Sequence, residues 1–216
     1  MFVDTGVLLA VGHDQRCADL IAQRYAGRLH VADLVVRELS RKARAGSTDL
    51  REVLVRAAAV CARTVLLDSK AAVVDTMASE DAPVFDSVLN QLVNLPRRDG
   101  GTAHPDEHTG EAASIAIAVR YLRGGDRVVF LTNDGNAGRA AMVNEIPTRH
   151  FGHVLAELAC AGDYSAEEAF LRFQFANKVS AIGAASSPTS TADFTCHGSQ
   201  DTCARCDRAW HGSLTP

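Results

Sequence analysis

The chain has 216 residues, 47% of them apolar and 22% charged, proportions that suit one globular domain with an appendage and exclude a disordered or fibrous chain. With 22 Lys and Arg against 26 Asp and Glu the net charge is −4, which excludes a nucleic-acid partner held by bulk positive charge alone and leaves room for a local basic strip beside an acidic site. No run of about 18 apolar residues occurs, and the apolar start Phe2-Val3 is interrupted at once by Asp4, so a membrane span and a secretory signal are not expected and the cysteines of a cytoplasmic chain stay reduced.

Residues 1–160 alternate short β-branched runs with longer helical patterns, which predicts an α/β domain with a mostly parallel sheet. In chain order the expected strands are Phe2-Val3, Leu29-His30-Val31, Val65-Leu66-Leu67 and Val128-Val129-Phe130-Leu131, with a weaker fifth around Thr148-Arg149-His150. The fourth run is continuously apolar between Gly124-Gly125 and Asn133-Asp134-Gly135, as in a strand buried on both faces. Helices are expected over Leu34 to Ala45, Asp49 to Arg63 and Glu111 to Arg123, the last with Ile115, Val119 and Leu122 on one stripe. Residues 96–110, rich in Pro, Gly, Asp and His, read as an exposed loop. A C-terminal helical extension, 161–182, starts its helix at an N-cap Ser165 with Glu167 and Glu168 in the first turn. Residues 183–216 then read as a flexible Ala/Ser/Thr/Pro linker, to about Thr195, and a tail containing Cys and His.

Residues that directly follow strands of an open α/β sheet line its ligand crevice. Asp4 follows the first strand and Asp134 the fourth. If those strands are neighbours, two carboxylates converge, and unpaired anions repel unless a hard cation such as Mg²⁺ or Mn²⁺ sits between them. Glu38, on the helix after the second strand, and Glu111, in the first turn of a later helix, can join them. Each acid also has a plain structural reading: Asp4 and Asp134 as N-caps, Glu111 as a dipole partner, and Glu38 as part of a solvated face with Arg37, Arg41 and Lys42.

Taken in order, Asp4-Thr5-Gly6-Val7-Leu8, Glu38-Leu39, Gly110-Glu111-Ala112 and Leu131-Thr132-Asn133-Asp134 resemble the four acidic motifs of PIN-domain nucleases, the superfamily that includes VapC-type toxins. The resemblance covers residues 1–160. It implies a three-layer α/β/α domain with a central five-stranded parallel sheet, and a Mg²⁺- or Mn²⁺-dependent endoribonuclease leaving 5′-phosphate and 3′-hydroxyl ends. Asp4, Glu38, Glu111 and Asp134 would then be the catalytic and metal-binding acids, with Thr132 and Asn133 as polar neighbours that orient the site. The third acid is Glu where many members carry Asp. A toxin role, an antitoxin protein partner and a homodimer are further implications. RNA would be held by Arg37, Arg41, Lys42 and Arg44, on or next to the helix of Glu38. Two other functions remain open at this point: a PIN-like scaffold that binds RNA or protein without cleaving it, and a structure-specific DNA nuclease.

Other motif readings fall away. Asp4-Thr5-Gly6 spells the aspartic-protease tripeptide, but that chemistry needs two such aspartates on a β-rich scaffold. A dehalogenase-type phosphatase needs a second Asp where Gly6 stands, and neither phosphate-cradling glycine motif is present. In the tail, Cys203, Cys206 and His211 follow Cys-x₂-Cys-x₄-His spacing, and Cys196 or His197 would complete a tetrahedral Zn²⁺ site. An unstructured tail with incidental cysteines is the alternative. Trp210 and Phe194 would be base-stacking residues if the tail reads nucleic acid. Cys17, Cys61 and Cys160 sit in helical patterns and read as core. His104, His108, His150 and His153 read as loop or surface residues, since hard cations favour oxygen.

Overall fold

The structure, a computed structural model, describes residues 1–94, 108–180 and 188–195. Cys196, His197, Cys203, Cys206, Trp210 and His211, and with them the zinc expectation, lie outside the described residues, as does His104. The elements run β1 (Phe2–Val3), α1 (Thr5–Gly12), α2 (Gln15–Arg24), β2 (Leu29–Ala32), α3 (Asp33–Arg44), α4 (Leu50–Ala62), β3 (Ala72–Asp75), α5 (Ala82–Val93), α6 (Thr109–Arg123), β4 (Phe130–Leu131), α7 (Gly135–Val143), β5 (Thr148–Arg149), α8 (Phe151–Cys160) and α9 (Ala166–Ser180). Five parallel strands in the order β3-β2-β1-β4-β5 form one sheet flanked by helices, a three-layer α/β/α architecture. Among the described residues no helix is long and apolar enough to cross a membrane.

Both faces of the sheet are covered: Phe2, Val3, Val31, Phe130 and Leu131 are all buried, as expected where helices pack on both sides of a parallel sheet. Val128 and Val129 fall outside β4, yet the Val129 carbonyl already accepts from Phe2 N–H at 2.8 Å. Strand β1 occupies the point where the chain turns from building one side of the sheet to building the other. Val3 pairs with Leu131, so the residues that follow, Asp4 and Thr132, emerge side by side at the carboxyl ends.

Two expectations need correction. Val65-Leu66-Leu67 is not a strand: helix α4 runs on into a π-helical turn, Arg63–Asp68, and the third strand begins at Ala72. No Gly or Pro stops the helix before Lys70, whose φ of 62° makes the turn. Leu66 is buried there as a helical residue, and a short apolar run alone cannot distinguish the two states. The linker reading fails over its second half. Thr191–Phe194 forms a 3₁₀ turn, and Phe194 is buried with its ring 6.2 Å from Phe170 and 6.3 Å from Phe173 on α9. Burying a phenyl ring is worth about 1.5–3 kcal/mol, a contribution to holding this segment on the domain. Phe194 is therefore a packing residue and not a base-stacking one.

The C-terminal helix packs on α8, α1 and α4, and its capping box is formed as expected. Glu168 N–H donates to Ser165 Oγ at 3.1 Å and Ser165 N–H to Glu168 Oε2 at 2.8 Å.

Candidate functional site

The expected acids come from four elements around the carboxyl end of β1. Asp4 is buried and caps α1, its Oδ1 accepting from Val7 N–H at 2.7 Å. Asp134 caps α7 in the same way, with Oδ1 accepting from Asn136 N–H at 2.6 Å and Ala137 N–H at 2.9 Å. The N-cap reading of both residues is thus correct and does not compete with a site. Each cap commits one oxygen and holds the other fixed at the positive end of a helix.

Glu38 approaches from α3. Its Oε2 accepts from the Thr5 hydroxyl at 2.6 Å, and its Oε1 lies 3.5 Å from Lys42 Nζ. Glu111 lies in the first turn of α6, whose start comes close to α3 because residue 110 is glycine. A Cβ there would stand 3.1 Å from Val35 Cγ2 and 3.4 Å from Glu38 Oε2. At Gly6 a Cβ would meet Asp4 Oδ1 at 3.5 Å and Asn133 Cβ at 3.9 Å, ordinary contacts, so no such close approach requires glycine there.

The acids influence one another. Burial pushes the Asp4 carboxyl up to about 7, with Glu111 and Asp134 adding to the rise and hydrogen bonds from Thr132 and Val7 opposing it. Burial also raises Glu111, which the charges of Glu38 and Asp134 push further and His108 pulls back. The site thus holds more negative charge than its surroundings neutralise.

Thr132 and Asn133 are both buried. The Thr132 hydroxyl accepts from Asp134 N–H at 3.0 Å and sits beside Asp4, whose carboxyl it lowers. Asn133 Oδ1 accepts from Phe151 N–H at 3.0 Å, while its Nδ2 is buried with no partner among the described residues.

Of the basic residues expected to hold RNA, Arg37 pairs with Asp33 at 2.9 Å and Lys42 with Glu38. Arg44 donates to the Ser40 carbonyl at 3.1 Å, and Arg41 is exposed.

Of the histidines read as loop or surface residues, His108 does lie in the turn ahead of α6, while His150 and His153 belong to the start of α8. His108 takes a left-handed φ of 67° at the start of α6, with Nδ1 buried and 3.9 Å from Glu111 Oε1. The glycine two residues later was the signal in the sequence of a tight start to α6. His150 is buried and its ring lies tilted against that of His153 at a centroid separation of 3.8 Å, which places that pair in the packing of α8. Cys17 is buried as expected, while Cys61 and Cys160 are half-buried.

Among the described residues no three His, Cys, Asp or Glu side chains stand close enough to hold one ion as they are placed. The donor set fits a hard divalent cation in kind: carboxylate oxygens from Asp4, Glu38, Glu111 and Asp134, no thiolate, and unneutralised negative charge. No family model, curated protein or solved structure matches this chain.

Proposed function

We propose that the chain is a PIN-like endoribonuclease of the cytoplasm that uses Mg²⁺ or Mn²⁺ to hydrolyse RNA phosphodiester bonds. The observation that carries this reading is the pairing of β1 with β4. It brings Asp4 and Asp134 to one crevice at the topological switch point, where Glu38 and Glu111 add charge and burial makes that charge unfavourable without a cation.

Asp4, Glu38, Glu111 and Asp134 would hold the ion. When bound, it would acidify an attacking water and offset charge on the scissile phosphate. The protein's own part is positioning. The caps of α1 and α7 orient the two aspartates, the Thr132 hydroxyl holds the backbone of Asp134, and the Thr5 hydroxyl fixes one oxygen of Glu38. Arg41 and Arg44 supply cationic charge on the helix that carries Glu38, suited to phosphates on either side of the scissile bond.

A second reading, a scaffold that binds RNA or protein without cleaving, is favoured by one observation: the acids are not drawn into a single coordination shell. A labelled single-stranded RNA incubated with the full chain separates the two. Cleavage that requires Mn²⁺ or Mg²⁺, stops in EDTA and is lost in Asp134→Asn supports the nuclease. RNA bound equally well in EDTA and never cut supports the scaffold.

A further inference from the structure

At the opposite end of the sheet, the amino ends of β1, β2 and the segment before β4 surround a cavity of about 230 Å³. Its wall is aromatic. Phe2, His30 and Tyr121 meet with centroid separations of 5.2 to 5.4 Å, Tyr121 edge-on to the other two rings and Phe2 tilted against His30. Two of these rings are locked by one carboxylate: Asp75 Oδ2 lies 2.7 Å from His30 Nδ1, and Asp75 Oδ1 accepts from the Tyr121 hydroxyl at 2.8 Å. A carboxylate can only accept, so Nδ1 carries the proton and Nε2 is left to accept from a ligand when the ring is neutral.

The rim is cationic. Arg28 and Arg127 line the cavity and are exposed, with Asp126 as the acid of the lining. Arg149 also lines it, already paired with Glu157 at 3.0 Å. The volume is below the roughly 300–1,000 Å³ of sites that enclose a drug-sized ligand, so only part of a ligand can enter. An aromatic interior with an N–H acceptor and two arginines outside it fits a planar base that leaves its anionic group at the mouth. Aromatic stacking suits any nucleobase, and the guanidinium fork suits phosphate.

We propose that this cavity is a second ligand site, distinct from the acidic crevice, that takes a nucleoside monophosphate with the base against His30 and Tyr121, which Phe2 backs from the core, and the phosphate on Arg28 and Arg127. It goes beyond the nuclease reading and does not depend on it.

Isothermal titration of AMP into the full chain, in EDTA so that the crevice holds no divalent ion, tests the proposal. The expected result is saturable binding of one AMP per chain, with adenosine at least about tenfold weaker and inorganic phosphate weaker still. Arg28→Ala with Arg127→Ala should weaken AMP at least about tenfold, because one charge-assisted hydrogen bond exceeds the roughly 1.4 kcal/mol that a tenfold change represents. Both arginines are exposed, so this variant should keep the wild-type melting curve. Asp134→Asn should bind AMP as the wild type does. Absence of saturable binding, AMP binding that survives the double arginine variant, binding lost in Asp134→Asn, or phosphate binding as tight as that of AMP would each overturn the proposal.

Discussion

Two buried groups of acids in this chain meet opposite fates. Glu157 on α8 is buried with Arg149 Nη1 3.0 Å from Oε2 and Arg24 Nε 3.0 Å from Oε1, and although burial alone would raise its carboxyl, hydrogen bonds and the Arg149 charge hold it below the usual carboxylate range. Asp4, equally buried, has acids for neighbours, and its carboxyl rises to about 7. One acid has been given its counter-charges by the fold. The other has been given helix ends, a hydroxyl and further acids, an arrangement that costs free energy unless something cationic joins it from solution.

The sharpest way to break this contrast is to neutralise one member of each group. Asp4→Asn and Asp134→Asn should each lower RNA cleavage by more than the roughly 100-fold that loss of an outer partner of a metal site costs, while the metal-free melting temperature holds or rises because a repelling charge is gone. Glu157→Gln should do the reverse. It leaves Arg149 and Arg24 without their shared anion, so about 3–5 kcal/mol of stability is lost, and cleavage per folded molecule stays near wild type. Urea melts and initial rates on the same three variants measure both halves. If Asp4→Asn unfolds the protein, or Glu157→Gln stabilises it, the contrast is wrong.

Metal addition comes next in size. Mn²⁺ at one hundred times its dissociation constant should stabilise the wild type by about 2.7 kcal/mol through selective binding to the folded state. In Asp134→Asn the gain should shrink at the same Mn²⁺ concentration. A thermal melt of chelator-treated protein that ignores both Mn²⁺ and Mg²⁺ would show that these acids hold no ion in the absence of RNA.

Much of the acidic crevice was legible in the sequence because its signals are local. An Asp directly after an apolar strand, a Glu in a helix first turn and a Gly beside it each have a short-range cause. The pairing of β1 with β4, stated as a condition, needed the topology. Less legible was everything decided by distant residues. Val65-Leu66-Leu67 has strand chemistry but continues helix α4, because Leu66 packs into the core from a helix. The Asp75 link to His30 and Tyr121 spans 45 and 46 residues, and no spacing rule reaches that far. Phe194 looked like part of a linker because its partners, Phe170 and Phe173, belong to the preceding helix and a Ser/Pro-rich stretch lies between.

A smaller effect probes the compensated side by pH. His153 lies beside His150 and near Arg149, and burial with those neighbours lowers its imidazolium to about 3 from the ordinary 6.5. The folded protein therefore binds fewer protons here than the unfolded chain between pH 6.5 and pH 3. The stability it contributes is present above pH 6.5 and is lost as the pH falls through that window. At about 1.4 kcal/mol per unit, roughly 2 kcal/mol should be gone by pH 5. Asp4 in the metal-free protein titrates in the other sense, so the clean measurement is a difference. His153→Gln should flatten the acid limb of stability against pH relative to wild type, and parallel limbs for the two proteins would refute the assignment.

The smallest effect separates a cap from a site. Ser165 and Asp134 both cap helices, but only Asp134 stands at the acidic crevice. Ser165→Ala removes an acceptor for Glu168 N–H and should cost about 1 kcal/mol with no change in cleavage. Asp134→Ser keeps an N-cap hydroxyl for Asn136 and Ala137 N–H, and Ser ranks with Asp as a cap, so the change in stability should stay within a few tenths of a kcal/mol. Its cleavage should nevertheless fall as far as that of Asp134→Asn, because neither side chain carries the negative charge a hard cation needs. Retained cleavage in Asp134→Ser would mean that Asp134 serves α7 alone, and the crevice would then have three acids in place of four.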